Sequence, residues 1–221
     1  MIRTLMFAFC LLILPAAGQA QLLASAVPPR LGIDYEILET AQPRFAAGAG
    51  IEVAEVFSYR CSHCAEFQPF VNAWRKRHGQ AARWVYVPAA FGGSWDDFAR
   101  AYYAAETLGV LDKTHDAVFK GVFVDHLVQT GTPDELADMY ARFGVDRARF
   151  ASAMASGPVT AKLATARQFA LRSGIQGTPT LIVNGKYRIS PTRDRSFEGM
   201  IKALDFVLAK ERAEAKTKKK G

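Results

Sequence analysis

Cys61 and Cys64 enclose Ser62 and His63, and no other four residues of the chain concentrate as much chemistry. A pair at this spacing can be half of a metal site, a local staple, or a dithiol that opens and closes. A structural zinc site takes four ligands, as two such pairs or as one pair followed by two closely spaced histidines. The remaining histidines, His78, His115 and His126, do not fall at that spacing, and Ala65 stands where haem attachment would need His. A staple across two residues restrains little of the unfolded chain, because the gain grows with the loop it closes. The redox reading, by contrast, has a reason at each position.

That reason is the element boundary on which the pair lies. Residues 51–58 (IEVAEVFS) are short, β-branched and aromatic after Gly50, which predicts a strand. From Ser62 to His78 the apolar residues Phe67, Phe70, Val71 and Trp74 recur at helical spacing. Cys61 is thereby predicted at or beside a helix N-cap, where free backbone N–H groups and the positive dipole end favour an anion. A thiolate there is stabilised, and such placements bring cysteine from ~8.5 down to about 3.5–7.5. His63, in the first turn, can add positive charge or a hydrogen bond to that sulfur. Cys64 points into the helix–sheet junction and suits a resolving thiol. Strand alternation sets Glu55 on one face with Ile51, Val53 and Phe57, so its carboxyl has apolar neighbours. Burial raises a carboxyl pKa and makes Glu55 a proton acceptor for Cys64.

Other elements must hold this junction in place. Residues 83–87 (RWVYV) predict a second strand closed by Pro88, and YEIL (35–38) a short β piece. A long section without strand signals follows, with helices predicted over 96–108, 114–124, 133–143 and 146–155, punctuated by Gly109, Gly131, Gly144 and Gly157. A helix over 159–173, a hairpin of TLIVN and KYRI around Asn184-Gly185, and a last helix over 194–213 complete the order. Strands and helices alternate at both ends around a helical block, so the class is α/β with an inserted all-helical domain. The division runs 21–92 for the first part, 93–158 for the insertion and 159–213 for the second part.

The ends of the chain bear on compartment and charge. Residues 1–20 read as a cleavable export signal: Arg3, an apolar run over 5–14 that includes Cys10, and small residues with Gly18 and Ala20 at the −3 and −1 positions. Export implies an oxidising compartment. The net charge of +7 invites a nucleic-acid reading. Most of it lies in Arg3 and in the closing stretch KERAEAKTKKKG (210–221), whose six positive and two negative side chains leave the body nearly neutral. No nucleic-acid partner is expected, and 214–221 reads as a basic tail.

Cys-Ser-His-Cys at a strand–helix junction, with Pro69 five residues after Cys64, resembles the thioredoxin superfamily. GTPTLIVNGKY (177–187) is similar to that superfamily's cis-proline loop and hairpin. The helical block, the His within the pair and the export signal narrow the resemblance to the DsbA-type thiol–disulfide oxidoreductases of the bacterial periplasm, over roughly 34–210. The resemblance implies a thioredoxin fold with Cys61 as exposed nucleophile and Cys64 as its buried partner. It makes His63 the stabiliser of the thiolate, Glu55 the acid beneath the site, and Thr178-Pro179 a cis dipeptide that receives an extended substrate. It implies a monomer that passes its disulfide to reduced, unfolded secreted proteins and is reoxidised by a DsbB-like membrane protein, with no organic cofactor or metal. The family commonly has Pro where this chain has Ser62, which leaves the oxidising strength open. A reductase or isomerase kept reduced, and a non-catalytic peptide-binding module, are the alternatives.

Overall fold

The computed structural model describes residues 27–79, 82–191 and 196–218. The predicted export signal, Cys10 with it, and the last three residues of the basic tail lie outside the described residues. Strand β1 (Glu36–Ile37) is followed by β2 (Glu52–Phe57), helix α1 (Ser62–His78) and β3 (Arg83–Pro88). The helical block is α2 (Ser94–Thr107), α3 (Leu111–Phe123), α4 (Pro133–Arg142) and α5 (Arg147–Met154). Helix α6 (Gly157–Arg172), strands β4 (Thr180–Val183) and β5 (Tyr187–Ile189), and helix α7 (Phe197–Lys218) close the chain.

The strands form one sheet in the order β1-β5-β4-β2-β3. β2 runs parallel to β3 and antiparallel to β4, and β4 and β5 make the predicted hairpin. Its turn places Asn184 and Gly185 at φ 53° and 66°, the left-handed pair that an Asn-Gly hairpin turn requires. β2 is therefore central, and all six of its residues are buried. Its alternation sends Ala54 and Val56 to one face, with Val87 and Ile182, against the helical block and α6. Val53 goes to the other face with Leu181 and Val183, under α1 and α7. Glu55 shares that second face, paired across the sheet with Tyr86 and Leu181.

Helix α1 buries Cys64, Phe67, Gln68, Val71 and Trp74, and Trp74 Nε1 donates to Asp205 Oδ1 of α7 at 2.7 Å. Pro69 inside α1 has no N–H to give the carbonyl of Ala65. Several boundaries differ from the predicted ones by one to five residues, and two of these have a visible cause. α3 begins at Leu111 because Gly109, at φ 70°, turns the end of α2 straight into it, and the Thr114 hydroxyl bonds back to the Val110 carbonyl. α7 extends to Lys218 because Glu211 and Glu214 hold Lys186 of the hairpin at 3.2 and 2.5 Å. Among the described residues no helix is long and apolar enough to cross a membrane.

Candidate active site

Cys61 is the N-cap of α1, with φ −93° and ψ 112°, and its sulfur accepts the N–H of Cys64 at 3.3 Å. Strand β2 ends at Phe57, so a three-residue link is all that separates the sheet from this cap. Both cysteines are thiols in this structure, Cys61 half-buried and Cys64 fully buried. The Cys61 thiol also donates to the Thr178 carbonyl at 3.4 Å, across a sequence gap of more than a hundred residues. The Thr178–Pro179 peptide bond is cis. The loop predicted to lie opposite the cysteines is thus in contact with the outer one.

The two thiols are driven apart in acidity. Cys61 is lowered to about 6, first by the hydrogen bond from the Cys64 thiol, against the opposing effect of burial. The Thr178 side chain and the Cys64 backbone N–H lower it further, and the charge of His63 adds the smallest share. Cys64 is raised well above the ordinary thiol range, chiefly by burial, and then by donating to Cys61 and by the charges of Cys61 and Glu55. A negative charge on this pair therefore resides on Cys61.

Glu55 is 1% exposed beneath α1, and burial pushes its carboxyl up to about 8. Trp84 Nε1 donates to its Oε2 at 3.2 Å and lowers it, Cys61 raises it, and Arg75 lowers it. In this reduced form Glu55 is mostly protonated at neutral pH.

Of the residues singled out in the sequence, Cys61, Cys64 and the Thr178 carbonyl meet directly, Pro179 is joined to Thr178 by the cis bond, and Glu55 couples to both cysteines through its charge. His63 is exposed, and among the described residues no hydrogen bond joins its ring to the Cys61 sulfur. Of the two effects expected of it, only the charge is present.

Sequence reasoning did not find the residues around Glu55. Trp84 and Tyr86 of β3 face it, and Gln68 donates to Tyr86 Oη at 2.9 Å. Trp84 and Tyr86 alternate in RWVYV, which marks a shared face but not which residue of β2 lies opposite. His115, buried with its Nδ1 2.8 Å from Tyr59 Oη, is held near 4 by burial and is neutral at pH 7.

The described Thioredoxin family model matches residues 46–203. Among curated relatives, the thiol:disulfide interchange protein DsbA of Burkholderia cepacia is 34% identical over 195 residues, covering 87% of this chain and 90% of its own. The DsbA of Pseudomonas aeruginosa strain PAO1 is 35% identical over 185 residues, with 84% and 87% covered. Among solved structures, the oxidoreductase DsbA of Xylella fastidiosa aligns with a TM-score of 0.78 at 39% identity, over 84% of this chain and 98% of that one. The chain, a thioredoxin fold with a helical insertion and a reduced Cys61–Cys64 pair at the N-terminus of α1, belongs to the DsbA family of thiol:disulfide interchange proteins.

Proposed function

We propose that this protein is a dithiol oxidase of the bacterial periplasm, which gives its Cys61–Cys64 disulfide to newly exported, unfolded proteins. The observation that carries the reading is the division of acidity between the two sulfurs, Cys61 lowered to about 6 and Cys64 raised. Stabilising the thiolate stabilises the reduced form, and a couple with a favoured reduced form hands its disulfide onward.

The exchange follows from that division. A substrate thiolate attacks Cys61 Sγ, the bond to Cys64 breaks, and the electron pair leaves on Cys64. Cys64 is the poorer anion and takes a proton from Glu55. A second substrate thiolate then attacks the substrate sulfur of the mixed disulfide and expels Cys61 as the stabilised thiolate. The substrate is oxidised by two electrons and the protein holds one thiol and one thiolate. In reoxidation Cys64 attacks instead, and Glu55 takes the proton back.

In this reading Cys61, Cys64, Glu55 and His63 carry the chemistry, with His63 a minor electrostatic contributor. Thr178 and Pro179 receive the substrate backbone in an extended form, supported by the contact of Thr178 with Cys61. Residues 21–92 and 159–213 make the thioredoxin-like unit, 93–158 the insertion and 214–221 a basic tail, behind a cleaved signal at 1–20. The protein acts as a monomer, without organic cofactor or metal, and a DsbB-like membrane protein restores its disulfide.

Oxidised protein mixed with a reduced two-cysteine peptide tests this. The expected result is one peptide disulfide formed per protein disulfide consumed, and none with Cys61→Ala. Unchanged peptide oxidation by Cys61→Ala would remove the reading, and preferential reduction of oxidised peptides would favour a reductase.

A further inference from the structure

Arg60 directly precedes Cys61, and its guanidinium is pinned in place without a counter-ion. Nη1 donates to the Oγ of Ser94, the first residue of α2, and the group lies over the Trp95 ring, 5.6 Å from its centroid. Trp95 in turn rests against Phe91, with 5.3 Å between ring centroids. Other arginines of the fold sit on carboxylates: Arg83 on Glu52, Arg147 on Asp134 and Asp138, Arg167 on Asp96, and Arg188 on Glu36. Arg60 is exposed, and among the described residues it forms no ion pair. A guanidinium carries only donors, and the bond to Ser94 leaves most of them unused.

The stability of α2 does not explain this placement. A cation at the first turn of a helix stands at the positive end of the dipole, where it is disfavoured. The acids of that turn are engaged elsewhere. Asp96 accepts from the Gly92 N–H at 2.9 Å and pairs with Arg167 at 2.5 Å, and Asp97 lies under the charge of Arg100. Nor does Arg60 set the acidity of Cys61, whose chief influences are Cys64, burial, Thr178 and His63. A fixed positive group beside the nucleophile that serves neither the helix nor the thiol is free to meet what arrives.

The sheet order sets that group on the path of a substrate. Strand β2, which leads into Cys61, lies between β4 and β3. Thr178 stands just before β4, and Phe91 to Trp95 follow the end of β3. Because β4 is antiparallel to β2 and β3 is parallel to it, both loops rise at the same end of the sheet, on opposite flanks of Cys61. A chain that lies on Thr178 with its cysteine at Cys61 comes within reach of Arg60 about two or three residues farther on, at ~3.3 Å for each extended residue. Phe91, 44% exposed, adds apolar surface at the edge of the same platform.

We propose that Arg60 is a specificity-determining residue: held on Trp95 and Ser94, it selects, among unfolded exported chains, those that carry Asp or Glu close to the reacting cysteine. The inference rests on the reading of this protein as a dithiol oxidase. A substrate carboxylate takes the open edge of the guanidinium through paired N–H donors, and a group already stacked on an indole loses little freedom in binding it. A carboxylate near a thiol also raises the pKa of that thiol and depletes the attacking thiolate. Pairing with Arg60 offsets that effect at the moment of attack. The substrate thiolate is aligned with Cys61 Sγ, and the exchange itself is unchanged.

The test measures how fast the oxidised protein converts reduced two-cysteine peptides whose cysteines carry Asp, Asn or Lys two residues away, first on the N-terminal side and then on the C-terminal side. Dividing each rate by that of the same peptide with oxidised glutathione removes the reactivity of the thiol itself. On one side of the cysteine the parent should oxidise the Asp peptide about fivefold faster than the Asn peptide, with the Lys peptide slowest, and the ratio should shrink at high salt. Arg60→Ala should bring that ratio to about one. Arg60→Glu should invert the order and favour the Lys peptide. A parent indifferent to Asp overturns the proposal. So does an Asp preference that survives Arg60→Ala, which would belong to the overall positive charge. A loss shared equally by all the peptides in Arg60→Ala overturns it too, because Arg60 would then act on the protein's own site. If the parent oxidises none of the peptides, the oxidase reading fails; if it oxidises them all alike, that reading stands and the role of Arg60 alone falls.

Discussion

Replacing Glu55 with Gln should make the reduced protein more stable and a slower exchanger. The carboxyl is 1% exposed and is pushed from 4.5 to about 8, mainly because burial strips water from the charge. Since the folded value is the higher one, the contribution of this group is complete below pH 4.5 and is lost as pH rises towards 8. At pH 7 the fold retains a proton that the unfolded chain has released. Between 4.5 and 7, at about 1.4 kcal/mol per pH unit, that retention costs about 3 kcal/mol. A Gln at this position keeps an oxygen for Trp84 Nε1 but brings N–H groups that need an acceptor, which returns about 1 kcal/mol. The variant should therefore gain about 2 kcal/mol at pH 7, somewhat more at pH 8, and lose the advantage below pH 4.5. Urea unfolding of the reduced protein across this range reads the difference directly. The reasoning is refuted if the variant is no more stable than the parent at pH 7, or if the difference does not change with pH. In the same samples, release of Cys64 should be slowed by about tenfold or more.

Alkylation of Cys61 by iodoacetamide should follow a midpoint near pH 6, and Cys64→Ala should raise that midpoint more than His63→Ala, because the Cys64 thiol is the largest stabiliser and His63 the smallest. The reverse order would contradict the geometry. Trp84→Phe removes the one hydrogen bond that lowers Glu55, so its midpoint, followed by infrared titration, should rise further; a fall would show that the indole is not its partner. Gly185→Ala forces a Cβ at φ 66° against the Gln42 carbonyl, and should cost about 2 kcal/mol or more in thermal unfolding, where an unchanged Tm would mean the turn can relax.

The cysteine pair was legible because a change of hydrophobic period, from strand to helix, falls between Phe57 and Ser62. That change alone places Cys61 at the cap and Cys64 one turn inside. Glu55 was legible as a carboxylate among apolar residues of one strand, but its partners were not. Which of Trp84 and Tyr86 lies opposite it depends on the β2–β3 register, and no period-two pattern encodes register between separate strands. The cis bond before Pro179 followed only from family resemblance, since most such bonds are trans. His63 lies close to Cys61 in sequence and acts on its sulfur through charge, the smallest of the effects on it. The helix predicted from Thr114 begins three residues earlier, at Leu111, and the Thr114 hydroxyl bonds back within it.

All of this converges on a couple whose reduced form is held by a stabilised Cys61 thiolate. Equilibration of the Cys61–Cys64 disulfide against glutathione at pH 7 gives its reduction potential. The value should lie well on the oxidising side of about −270 mV, the potential of thioredoxin. A value at or below that of thioredoxin would contradict an oxidase, and with it the significance given to the acidity of Cys61.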